Sequence, residues 1–458
     1  MLFQSQVFLL AFLPATLAAW YAAAGSTVLR EWVLIVCSLV FYAWWDPRFV
    51  ILLIAQTGIS WVLAEIFLRS GRRWRWLLAL GVAANLAVLV FFKYWTFLAE
   101  NVIAATGIAL PAPSVVLPIG ISFFTFEIIS YLADLGRREA PHYPLRRFAL
   151  FVMLFPRLIA GPIVRHHEII PQFELDPFRD GLGQRLATGA LLLIAGLAKK
   201  VFLADNLAPL ADAAFVSAAT TAVSLQAAWT GALAFTFQLF LDFSAYSEMA
   251  IGIALMLGFT LPQNFEVPYA AVSVRDFWRR WHMTLSRYLR DYVYIPLGGS
   301  RAGNARYIWA TIFTMGLCGL WHGAGWTFLA WGLMHGVGLI ACHAWQARGT
   351  PMPWPLAWVL TFSFVVIGWV LFRAPNFSVA ANMLQGMAGF HGWGGRFEGV
   401  GLIAAGAAVS IFGPATYSVM TNSLRPHPAI AIAAATIAVL VLLVVGAGQP
   451  QTFIYFQF

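Results

Sequence analysis

The chain has 458 residues, of which 61% are hydrophobic and 10% charged, against roughly 25% charged in an average soluble protein. A mean hydropathy of +0.77, with 38 Phe and 20 Trp, excludes a soluble globular enzyme, because so apolar a surface is stable only against lipid, with aromatic rings at the headgroup level. The formal charge of +9 then reads as basic cytoplasmic loops, and no nucleic-acid partner is expected.

At about 20 residues per crossing and loops of similar length, the chain has room for roughly ten to a dozen crossings. The expected fold class is all-α, one integrated membrane domain over residues 1–458. The first six residues carry no positive charge and no small-residue cleavage site follows, so the apolar stretch at about 7–24 reads as a retained span. Apolar stretches follow at about 32–45, 49–68 and 76–92, then 115–134, 148–164, 185–203 and 226–258. The last group lies at about 307–320, 326–346, 355–373, 400–418 and 428–447. The Arg-rich link Arg69 to Arg75 belongs inside the cell, which places the N-terminus outside and puts the basic link Arg137 to Arg147 inside as well.

Between Phe155 and Arg165, Pro and Gly interrupt the apolar run as in a broken or re-entrant helix, with Arg157 as a polar wall residue or a snorkelling cation. The tract His166-His167-Glu168 has no second spaced histidine, and Cys37, Cys318 and Cys342 have no paired spacing. Neither a metal site nor a disulfide is expected. Asp242 and Glu248 lie inside a long apolar stretch, where a carboxylate orients a histidine, carries protons or caps a broken helix.

The interval Arg275 to Arg306 holds seven Arg and two Asp, more than half of the whole charge excess. Over 275–294 the spacing of Arg275, Arg279, His282, Ser286 and Arg290 predicts one amphipathic helix with a basic face. Two readings stand: a membrane-surface anchor, or a cytoplasmic ledge of Arg279, Arg280 and Arg290 with Trp278 and Trp281 that binds a phosphorylated cofactor such as coenzyme A. Further on, Gly319-Leu320-Trp321-His322-Gly323 and Trp331 to Gly336 place His322 and His335 among apolar neighbours. An imidazole there is a functional candidate, since its ordinary pKa suits a general base near neutrality. The glycines beside His322 leave room for a substrate, whereas His335 reads as a buried ring bonded to a neighbouring helix. Cys318, four residues before His322, reads as packing rather than as an acyl-carrying nucleophile.

These segments taken in order resemble the membrane-bound O-acyltransferase family, in its alginate O-acetyltransferase membrane-subunit type. The likeness rests on Phe12-Leu13-Pro14, Leu117 to Phe123, Phe155 to Arg165, Asp242 to Ala250, Asp276 to His282, Arg290-Asp291-Tyr292, Gly319 to Gly323 and the terminal Phe453 to Phe458. Ala245 and Glu248 depart from the usual Gly and Asp of that pattern. The resemblance implies a ring of some ten to thirteen tilted and re-entrant helices around a tunnel in a bacterial inner membrane. It implies that His322 is catalytic and His282 a second functional position, with Asp242 assisting. No bound cofactor is expected; acetyl-CoA serves as acyl donor, and the acyl group passes to an exopolysaccharide with periplasmic partner proteins. A proton-coupled carrier and a noncatalytic assembly platform are the alternatives that the buried charges leave open.

Overall fold

The computed structural model describes residues 1–108, 115–423, 427–448 and 452–454. Tyr455 to Phe458 of the terminal motif lie outside the described residues. Among the described residues there is no strand, in keeping with an all-α chain. In chain order the main helices are α1 (Phe8–Ala22), α2 (Thr27–Ala43), α3 (Arg48–Arg69), α4 (Trp76–Thr106), α5 (Ile121–Arg137) and α6 (Leu145–Met153). Then come α7 (Leu182–Thr220), α8 (Leu225–Met256), α9 (Val274–Arg280), α10 (Met283–Leu289) and α11 (Asn304–His322). The last are α12 (Trp326–Ala347), α13 (Trp354–Arg373), α14 (Phe377–Met387), the bent α15 (Val400–Phe412 and Thr416–Asn422) and α16 (Pro428–Ala447).

Seven of these, α3, α4, α7, α8, α12, α13 and α16, are long and apolar enough to cross a bilayer, and the bent α15 makes an eighth. The protein is therefore a multi-pass membrane protein. The first apolar stretch becomes α1, shorter than the roughly 20 residues of a perpendicular crossing. Helix ends follow local chemistry. Ser26, Ser273 and Asn376 accept the backbone N–H groups of Leu29, Asp276 and Val379 at 3.3, 3.0 and 3.0 Å, satisfying donors that have no partner within the helix.

Burial separates two kinds of apolar helix. In α8, 89% of the most apolar window is covered by protein, whereas in α16 only 11% is. A helix apolar on all sides is stable in either setting, within a protein interior or against lipid. Exposed Leu443, Val439, Ile432 and Phe412 mark lipid-facing surface.

The chain forms two compact units: one of Met1–Ile194, Tyr246–Pro262 and Leu442–Thr452, the other of Ala195–Ala245, Gln263–Val441 and Phe453–Phe458. The core of the first is aromatic, with Phe8, Phe12, Phe41 and Phe155 in mutual ring contact. Buried charges in it find partners, as desolvation requires. Glu31 accepts from Arg146 and Arg147, and Arg157, fully buried, pairs with Glu127 and lies over the Phe151 ring. Arg157 is thus a core cation rather than a snorkelling one. As the Pro and Gly pattern predicts, helix gives way after Met153 to one short turn, Phe155–Leu158, and an irregular path up to Arg165.

In the second unit α11 and α12 pack with small residues at the contact. A Cβ on Gly332 would overlap the carbonyl of Met315, and one on Gly319 the carbonyl of Phe328. Such close backbone approach is how helices associate where lipid removes the hydrophobic driving force. The single amphipathic helix predicted over 275–294 is broken. Helix α9 ends at Arg280, His282 adopts φ 43° and ψ 52°, and α10 begins at Met283. The charge periodicity runs through this break because i+3 and i+4 spacing says nothing about a single left-handed residue.

Candidate active site

His322 is the last residue of α11, held at the α11–α12 turn, and only 3% exposed. Its ring lies among Trp321, Trp331 and Phe372 at centroid distances of 4.9, 5.2 and 5.2 Å. The space beside Gly323, which the sequence suggested for substrate, is taken by Phe328, whose ring a Cβ on Gly323 would overlap. The ring of His282, fully buried, lies 6.5 Å from that of His322 and 5.9 Å from that of Trp321. Two histidines forty positions apart in sequence are thereby brought to one place.

A residue absent from the sequence reading holds His282. The segment around Asn264 runs beside the left-handed turn: Met283 N donates to Asn264 O at 3.0 Å and Glu266 N to Arg280 O at 2.9 Å. Asn264 Oδ1 accepts from Thr284 N at 3.3 Å and Thr284 Oγ1 at 2.9 Å, and lies 3.1 Å from His282 Nδ1. A backbone N–H only donates, so this atom is the amide oxygen, and Nδ1 must carry the hydrogen. The lone pair of the neutral ring then sits on Nε2. His282 lies on none of the candidate spans, and burial pushes its pKa down to about 3, so the ring is neutral at physiological pH. Phe243 and Phe265 complete its surroundings at 4.8 and 6.4 Å.

Trp278 and Trp281 are buried. Trp278 Nε1 donates to His335 Nδ1 at 3.2 Å, which gives His335 the helix-bonded structural place expected of it. Trp281 packs on Phe277 and Trp369 at 5.5 and 4.9 Å, and Trp331 joins this aromatic layer to His322. Of the three arginines, Arg279 is exposed, Arg280 pairs with Asp276 at 3.0 Å and Arg290 with Asp291 at 2.7 Å. Arg275 donates to Gln346 at 2.8 Å.

Asp242 is engaged by Lys200 and by the backbone of Ile454. Lys200 Nζ lies 2.6 Å from its Oδ1 and 2.7 Å from Asp205, and Ile454 N donates to its Oδ2 at 2.7 Å. Lys200 also sits 4.7 Å over the Phe453 ring. Both lysines of the pair Lys199-Lys200 fall in a wide π-type turn of α7, and Lys199 donates to Ser244 at 3.1 Å. The signal for this triad is in the sequence: two cations within the apolar stretch 185–203 demand buried anionic or polar partners. Glu248, later on α8, is grouped with the first unit. Cys318 is fully buried one helical turn before His322.

The profile of MBOAT, the membrane-bound O-acyltransferase family, matches residues 32–381. The chain belongs to this family. It is therefore an O-acyltransferase, and the carrier and platform readings of its buried charges give way. Among similar proteins is the "Probable alginate O-acetylase AlgI" of Pseudomonas aeruginosa, 43% identical over 405 residues, 86% of this chain and 76% of the relative. A peptidoglycan O-acetyltransferase of Helicobacter pylori is 39% identical over 428 residues, 86% of this chain and 80% of the relative. A teichoic acid D-alanyltransferase of Bacillus subtilis is 26% identical over 319 residues, 65% of this chain and 77% of the relative.

Proposed function

We propose that this membrane O-acyltransferase takes an acetyl group from cytoplasmic acetyl-CoA and delivers it, with periplasmic partner proteins, to hydroxyl groups of an exopolysaccharide such as alginate. The inner membrane is its location, with the Arg-rich links facing the cytoplasm. The observation that carries the reading is the pairing of His322 and His282 as buried rings 6.5 Å apart, in a family of O-acyltransferases. The names of the relatives supply the acetyl group and the polymer class.

In this reading His322 accepts the proton of the attacking hydroxyl while its oxygen bonds to the thioester carbonyl carbon. The C–S bond then breaks, and the imidazolium returns the proton to the departing thiolate. His282, with its hydrogen committed to Asn264, offers Nε2 only as an acceptor. It orients an O–H or N–H group beside it and assists proton movement, but does not stabilise an oxyanion. Arg279, Arg280 and Arg290 attract the phosphates of the donor, and Trp278 and Trp281 form the wall beside the acyl-bearing arm. Asp242 acts through Lys200 to hold α7 and α8 in place. The test is labelled acetyl transfer by purified protein in lipid nanodiscs, with polymer ester content measured in cells. His322→Ala should lower transfer by at least about a hundredfold, the usual contribution of a positioned base. Full acetylation at normal protein levels would overturn the assignment.

A further inference from the structure

Away from the two histidines, the first unit assembles a group that the tract His166-His167-Glu168 did not reveal, because its third member is Asp134, near the end of α5. The ligand atoms of Asp134, His166 and His167 lie within 4.8 Å of one another. His166 Nε2 is buried and 3.3 Å from Asp134 Oδ2, yet the two do not meet as a hydrogen bond. Their separation matches that of neighbouring corners of a coordination shell. Two ligands about 2.0–2.1 Å from a tetrahedral ion stand roughly 3.3–3.4 Å apart.

The surroundings agree with this. The other ring nitrogen of His166 faces Tyr143 Oη at 3.1 Å; in the tautomer whose Nδ1–H donates to the phenol, Nε2 keeps its lone pair, the arrangement that orients ligating histidines. Asp134 Oδ1 lies 3.9 Å from Arg137, and Oδ2 lies 3.3 Å from His166 Nε2. His166 and Asp134 are buried, while His167 is exposed and gives an ion a way in.

We propose that Asp134, His166 and His167 bind a divalent transition ion of the zinc type, with water in the fourth position. Two imidazoles and one carboxylate select such an ion over calcium or magnesium, which take oxygen ligands. The ion ties the end of α5 to the segment that follows the broken helix at Phe155–Arg165, and its role is structural.

The test uses the full chain, purified in detergent through a tag free of histidine, stripped with a chelator and titrated with Co²⁺ as a spectroscopic probe. One equivalent should give the intense visible absorption of a four-coordinate cobalt centre, and Zn²⁺ should displace it. His167→Ala, at an exposed position, and the isosteric Asp134→Asn should each weaken binding by tenfold to a hundredfold or more, on the order of losing a supporting ligand contact. Zn²⁺ should raise the thermal midpoint of the parent but not of His167→Ala. His142→Ala, a nearby exposed histidine, should bind as the parent does. Absence of saturable uptake by the parent, or equal affinity in both ligand variants, overturns the site, as does loss of binding in His142→Ala.

Discussion

Replacing Asn264 by Asp tests whether His282 works through the lone pair on Nε2. The change is isosteric, and Asn264 Nδ2, the atom converted to oxygen, makes no hydrogen bond. The bonds from Thr284 and from His282 Nδ1 at 3.1 Å can all be kept. What changes is charge. A carboxylate 3.1 Å from the ring favours the imidazolium by about 5 kcal/mol at an effective dielectric of about 20, or almost four pKa units at roughly 1.4 kcal/mol each. Desolvation of the new carboxylate opposes part of this, so the His282 pKa should rise from about 3 by about two to four units, to about 5–7. The sign follows: in the parent the ring is neutral across the working range, whereas in the variant the lone pair is lost as pH falls through the raised pKa. Acetyl transfer by the variant in nanodiscs, measured from pH 5 to 9, should therefore gain a limb that rises with pH. At high pH it should approach the parent rate. A profile superimposable on the parent's, or a loss of equal depth at every pH, would refute the reasoning.

Arg279→Ala should raise the KM for acetyl-CoA about five- to tenfold at low salt with kcat little changed, as expected for one exposed phosphate contact worth about 1 kcal/mol; an unchanged KM at low ionic strength counts against the ledge. Gly332→Ala places a methyl group against the Met315 carbonyl and should cost about 3 kcal/mol, because backbone cannot yield as a side chain does; a thermal midpoint equal to the parent's would show the α11–α12 contact to be looser than described. Lys200→Met strands the carboxylates of Asp242 and Asp205 and should destabilise by about 3–5 kcal/mol. Adding Asp242→Asn to it should recover part of the loss, and a double variant no more stable than the single one would separate Asp242 from the ion pair.

The class of fold is written in hydropathy, since lipid imposes one requirement over whole segments. Sites are set by single contacts, and these were legible unevenly. His322 stands out because a titratable ring among apolar residues has few innocent explanations, whereas His282, set on a basic face, is singled out only by the family resemblance. Asn264 does not, being neutral, outside any periodic segment and eighteen residues from the ring it holds. The basic face over 275–294 predicts one helix where there are two, for a left-handed residue leaves the spacing of its neighbours untouched. The glycine at 323 reads in sequence as space for substrate; in the fold it accommodates Phe328. Asp242 reads in sequence as a helper of histidine, and the rule about charges in apolar runs, applied to 185–203, points to its partner Lys200.

The left-handed backbone of His282 governs how its chemistry is to be dissected. With φ at 43°, the position tolerates residues with short polar side chains, Asn and Asp above all, far better than branched or bulky ones. A truncation to alanine would therefore perturb the chain path and the ring at once, and its phenotype would mix the two. Asparagine removes the imidazole while suiting the same conformation, so the difference between parent and asparagine variant isolates what the ring contributes, and the difference between the two variants isolates the chain path.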